Sequence, residues 1–137
     1  MQAPFEPLAT TSLRNLTLKT VFLVAVASGH RVNTLQALCL DRGHIRWEPV
    51  GIRLIPKPGF LAKIQGVSSP IVEVFLPKFA SISSIEDDKL WCPVRALKRY
   101  VNRTEECRTS SSLFVATVAP FGAVSSATVF KWLVECI

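Results

Sequence analysis

The residues of this 137-residue chain with chemical potential are an arginine at a helix junction, a lone tyrosine, two histidines and a group of cations on one helical face. Arg31 follows Ser28-Gly29-His30, where one apolar segment ends and another begins. A guanidinium there stays charged at any ordinary pH and can donate two parallel hydrogen bonds to an anion. Tyr100 is the single tyrosine, so it alone could serve as a phenolic nucleophile. Its neighbours Leu97 and Val101 instead suggest an apolar body packed with its polar tip satisfied. His30 and His44 stand apart from any partner suited to acid-base or metal chemistry and are expected to be structural. Arg95, Lys98, Arg99 and Arg103 share one helical face, which suits either DNA phosphates or plain solvation. Cys39, Cys92, Cys107 and Cys136 are scattered without a CxxC pair, indicating neither a zinc site nor a disulfide framework.

Length and composition bound the elements that must hold these groups. A chain of this size fits one domain, since domains most often run about 100 to 150 residues. Nearly half the residues are apolar, enough for a core, and 16 Lys+Arg against 10 Asp+Glu leave a net charge of +6. That balance favours a polyanionic partner such as nucleic acid. The most apolar run, Val21 to Ala27, falls far short of the roughly 20 residues a membrane span needs, so no membrane partner is expected. Residues 1–10 lack the pattern of a signal peptide, and an intracellular location follows.

Residues 1–10, with Pro4 and Pro7, read as an extended lead-in to a domain spanning 11–137. A hydroxyl cap at Thr11 or Ser12 opens a helix that is apolar on most sides, expected to be buried at the centre and stopped by Gly29. A short helix from Arg31 or Val32 should run through Leu35 and Leu38 to Cys39. Ile45–Glu48, Gly51–Ile55 and Ile71–Leu76 are strand candidates, the first two joined across Pro49-Val50, and together predict a small three-stranded antiparallel sheet. After a polar connection over 77–91, Pro93 opens a helix with Val94, Leu97 and Val101 facing the core. Ser110 to Ser112 lead into Leu113–Val115, and Ser125 or Ser126 caps a last helix through Trp132. The fold class is mixed α/β, mainly helical.

The segment from Leu16 to Leu38, with Ser28-Gly-His-Arg31-Val-Asn-Thr34-Leu-Gln-Ala-Leu38 at its end, resembles the first arginine box of tyrosine recombinases, more narrowly those of DIRS-type retroelements. Pro4-Phe-Glu-Pro-Leu8, Gly59-Phe-Leu-Ala-Lys63 and Trp91-Cys-Pro-Val-Arg-Ala-Leu97 extend the likeness over nearly the whole chain. The resemblance implies a truncated DNA breaking-rejoining catalytic domain acting on duplex DNA in integration or recombination, in the nucleus and without metal or other cofactor. It implies that a tyrosine attacks a phosphodiester to give a 3′-phosphotyrosine, while arginines and a lysine stabilise charge on the phosphate oxygens. Arg31 falls on the arginine position. Lys63 matches the leaving-group lysine by its Phe-Leu-x-Lys context, with Lys57 as the alternative.

Two departures accompany the likeness. The family box carries an acidic residue three places after the arginine to orient the guanidinium, and this chain has Thr34. The family's His-x-x-Arg box and tyrosine nucleophile follow the helix that starts near Ser125, and neither is in this sequence. The expectation is therefore a chain that at most binds DNA, without strand-transfer activity of its own; the alternatives are a non-catalytic DNA-binding module derived from a mobile element and a structural or protein-interaction domain. Without the family's final helices, apolar surface that they would cover is exposed, and marginal stability or self-association is expected.

Overall fold

The computed structural model describes residues 11–29, 31–56, 73–78 and 92–136. Within them lie four helices and a three-stranded antiparallel sheet, a mixed α/β arrangement. Lys57, Lys63, His30, the lead-in over residues 1–10, most of the 77–91 connection and the start of the expected third strand lie outside the described residues.

Helix α1, Leu13–Ser28, begins where Ser12 caps it: the Ser12 hydroxyl accepts a hydrogen bond from the Asn15 amide at 3.1 Å. It ends at Gly29, whose φ of 69° lies in the left-handed region that a side chain resists, and whose amide donates to the Ala25 carbonyl. Leu16, Val21 and Val24 on this helix are fully buried. Its central place follows from its neighbours: the helices Pro93–Thr104 (α3) and Ser126–Cys136 (α4) and the last strand all pack on it.

Helix α2, Val32–Ala37, stops two residues short of the sequence expectation. Leu38 and Cys39 are extended, and the reason is long-range pairing. The Leu40 amide donates to Ser111 O at 2.7 Å and the Leu113 amide to Leu38 O at 2.9 Å, with Cys39 opposite Ser112. Buried backbone groups must be paired, and here the partner strand segment wins over another half-turn of helix.

The sheet runs β1 (Ile45–Glu48), β2 (Gly51–Leu54) and β3 (Val74–Pro77), in that spatial order. Glu48 faces Gly51 across the Pro49-Val50 turn, as expected. Ile52, Leu54, Val74 and Leu76 form the buried face, while Arg46, Arg53, Glu48 and Phe75 lie on the other. Gly51 is there for closeness: a Cβ would stand 2.2 Å from Leu76 O.

Helix α3 buries Val94, Ala96, Leu97, Tyr100 and Thr104, whereas Val101 is only half-buried. Helix α4 is capped by Ser125, whose hydroxyl accepts from the Thr128 amide, and continues past Trp132 to Cys136. Arg14 of α1 and Glu135 of α4 form an ion pair, and the Cys136 thiol donates to Leu18 O at 3.3 Å, so the end of α4 is fastened to the first half of α1. Among the described residues no helix is long and apolar enough to cross a membrane.

Candidate nucleic-acid interface

Arg31 sits in the turn between α1 and α2, with its backbone extended (φ −75°, ψ 160°) as the N-cap of α2. Its carbonyl accepts the first helical hydrogen bond, from Leu35 N at 3.1 Å. Its side chain is exposed and makes no hydrogen bond or ion pair among the described residues. Nothing among the described residues occupies the donors of the guanidinium. Thr34, one turn on, is 8 % exposed, so the position where the resembling family carries an acid is here a nearly buried hydroxyl. No carboxylate at that place fixes the Arg31 fork.

The basic face of α3 divides in two. Lys98 and Arg99 are exposed, while Arg95 and Arg103 are half-buried, and Arg103 Nη1 donates to Thr11 O at 2.5 Å. Arg103 is thereby a tether between α3 and the residue that precedes the α1 cap, and Lys98 and Arg99 are the exposed cations of this face. They stand on a different element from Arg31: α2 packs on α4, whereas α3 packs on α1 and β3.

Tyr100 is fully buried. Its hydroxyl accepts a hydrogen bond from Val115 N at 2.9 Å and its ring lies 5.9 Å from that of Phe114. Burial pushes the phenol up from its ordinary value, outweighing the Val115 hydrogen bond and the Arg108 charge, which favour the phenolate. A phenol that is both sheltered from solvent and harder to ionise is a packing residue, as its apolar neighbours in the sequence indicated.

Two arginines that the sequence did not single out are each held by several hydrogen bonds. Arg108 points its fork inward: Nε and Nη2 donate to Thr104 Oγ1 at 3.2 and 2.7 Å, Nη1 to Ser112 O at 2.5 Å, and Nη2 to Leu113 O at 3.2 Å. Its guanidinium lies 5.8 Å from the centre of the Tyr100 ring, and burial lowers its pKa from the ordinary arginine value. Arg53, on the outer face of the sheet, is held by both oxygens of Glu48 at 2.9 and 3.0 Å and by Glu73 at 2.7 Å, over the Phe75 ring at 4.8 Å. Its pKa is raised, first by the Glu73 hydrogen bond and then by Glu48. No composition or spacing signal distinguishes these two from solvated arginines, because a hydroxyl and backbone carbonyls within five residues of Arg108, and carboxylates brought to Arg53 by the sheet, leave no mark in the sequence pattern.

Beside Arg53 a cleft of about 90 Å³ opens between Gly43, His44, Arg46 and Glu73. His44 Nδ1 donates to Ile55 O at 3.0 Å, which leaves only Nε2 for a ligand. With Arg53 neutralised by two carboxylates, the cleft is close to charge-balanced and has little pull on an anion. Among the described residues no three His, Cys, Asp or Glu side chains gather into a group that could hold a metal ion. Comparison with protein-family models, with curated proteins and with solved structures finds no match to this chain.

Proposed function

We propose that this chain is the Arg31-bearing part of a tyrosine-recombinase-like DNA strand-transferase, and that as it stands it binds duplex DNA through phosphate contacts without cutting it. The observation that carries the reading is Arg31 itself: an exposed guanidinium with no partner among the described residues, at a turn between a buried helix and a second helix. Phosphate binding needs a cation that is positioned but not already neutralised, and Arg31 meets both conditions. Lys98 and Arg99 add positive charge on a second element, and the net charge of +6 supports long-range attraction to a polyanion. Lys63, or Lys57, remains the proposed leaving-group lysine on the strength of the sequence likeness. Catalysis by Tyr100 is disfavoured by its burial.

The test is fluorescence anisotropy with a labelled duplex, comparing the unaltered chain with Arg31→Ala and with a Lys98→Ala/Arg99→Ala double variant. Both variants should weaken binding without changing the far-UV circular dichroism. Failure of the unaltered chain to bind at low salt would remove the reading. On a nicked suicide substrate the chain should give no covalent protein-DNA adduct.

A second reading, a protein-interaction domain, draws on α4. Phe130 and Val134, one helical turn apart, are 58 % and 52 % exposed, a pair of large apolar side chains on one face. It leads to concentration-dependent association in sedimentation experiments, which Phe130→Ser would abolish.

A further inference from the structure

Arg108 has no free donor to offer a ligand, yet it is linked to Arg31 by an unbroken series of short contacts. Its fork holds the carbonyls of Ser112 and Leu113. That same segment is paired to the chain leaving α2, through Leu40 N to Ser111 O and Leu113 N to Leu38 O. Leu38 caps α2, its amide donating to Leu35 O at 3.3 Å, and the Leu35 amide in turn donates to the Arg31 carbonyl.

Helix α2 is six residues long and has no side-chain cap at its N-terminus. A helix of that length has almost no stability of its own, because nucleation costs more than so few hydrogen bonds return. Its position is therefore imposed from outside. One support is its packing on α4, with Gln36 Nε2 donating to Val124 O at 3.3 Å. A second is the 111–113 segment, whose Ser112 and Leu113 carbonyls accept hydrogen bonds from Arg108.

We propose that Arg108 is a positioning residue for Arg31: by clamping Ser112 and Leu113 it fixes the far end of α2, and through α2 the turn from which Arg31 meets a phosphate. The phosphate contact rests on the function proposed above; the mechanical link between Arg108 and the Arg31 turn does not. Lysine cannot do the same work, since one ammonium has no planar fork to span a hydroxyl and two carbonyls. Thr104 belongs to the clamp, because its hydroxyl accepts from Arg108 Nε and Nη2 while donating to Tyr100 O at 2.9 Å.

Arg108→Lys and Thr104→Val in the full chain provide the test, each leaving the apolar core intact. Amide exchange reads the link directly. Exchange at Leu35 and Leu38 should quicken about tenfold in both variants, while Leu23 and Val24 in α1 change by less than about twofold. Equal acceleration everywhere, or none at α2, would overturn the proposal, since the first means only lower global stability and the second no link at all. Duplex binding supplies the second readout. Arg108→Lys should weaken it about fivefold or more, and Arg31→Ala made in that background should then add less than about twofold. Losses that multiply would show two independent roles and contradict positioning. A chain that does not bind duplex at all would sink the DNA reading alone, leaving amide exchange to decide the link.

Discussion

The turn that carries Arg31 and the loop that carries Arg108 place the same side chain in opposite situations. Arg108 is half-buried and spends its donors on Thr104, Ser112 and Leu113; Arg31 is exposed and makes no such contact among the described residues. The difference separates an arginine whose donors are taken up by the fold from the one for which we propose an outside partner. Arg53 lies between them, exposed enough to meet solvent but neutralised by Glu48 and Glu73. Positive charge on the surface is therefore a poor guide to an anion site; unspent hydrogen-bonding capacity on a fixed element is a better one.

Substitutions can break this contrast, and the largest effect should come from Arg108→Ala. It leaves Thr104 Oγ1 and the Ser112 and Leu113 carbonyls short of a donor in a nearly dry site, at a cost of about 2–4 kcal/mol in urea denaturation. Tyr100→Phe keeps the ring but removes the acceptor for Val115 N, and should cost about 1 kcal/mol. It should also change the alkaline limb. Because burial raises the Tyr100 pKa, the folded chain keeps this proton to higher pH than the unfolded chain, whose phenol titrates near about 10. Stability from this group is full below that pH and falls as pH rises through the folded value. Denaturation midpoints measured at increasing alkaline pH should thus decline less steeply in Tyr100→Phe, with the residual slope including Cys136, whose pKa burial also raises.

Glu73→Ala frees one side of Arg53 and should lower the denaturation midpoint only slightly, and less at high salt, as both side chains are more than a third exposed. Arg31→Ala should be the smallest of all in stability, within about 0.5 kcal/mol. If Arg31→Ala destabilised the chain as much as Arg108→Ala, the distinction between the two regions would collapse.

How much of this the sequence revealed follows the range of the interactions. Helix α1 was legible from Ser12, its apolar pattern and Gly29, all of which act within a few residues. The β1–β2 hairpin was legible for the same reason, through Pro49-Val50. The end of α2 was not, because Leu38 and Cys39 fit helical spacing and are drawn off it only by residues 111–113, more than seventy positions away. By spacing alone the four cations of the α3 face are alike, whereas Arg103 is bound to Thr11 across the fold. Arg108 gave no local sign of its role. In the candidate site, Arg31 was placed correctly at a junction, while Lys57 and Lys63 lie outside the described residues.

The central claim is that Arg31 is an unspent cation positioned for phosphate, and the salt dependence of duplex binding tests it most directly. The logarithm of the binding constant should fall linearly with the logarithm of salt concentration for the unaltered chain, with the slope reduced by about one unit in Arg31→Ala. Binding should weaken by about five- to tenfold in that variant at fixed salt, with sequence of the duplex making little difference. Identical slopes and affinities for the two proteins would contradict the account, whatever else on the surface binds DNA.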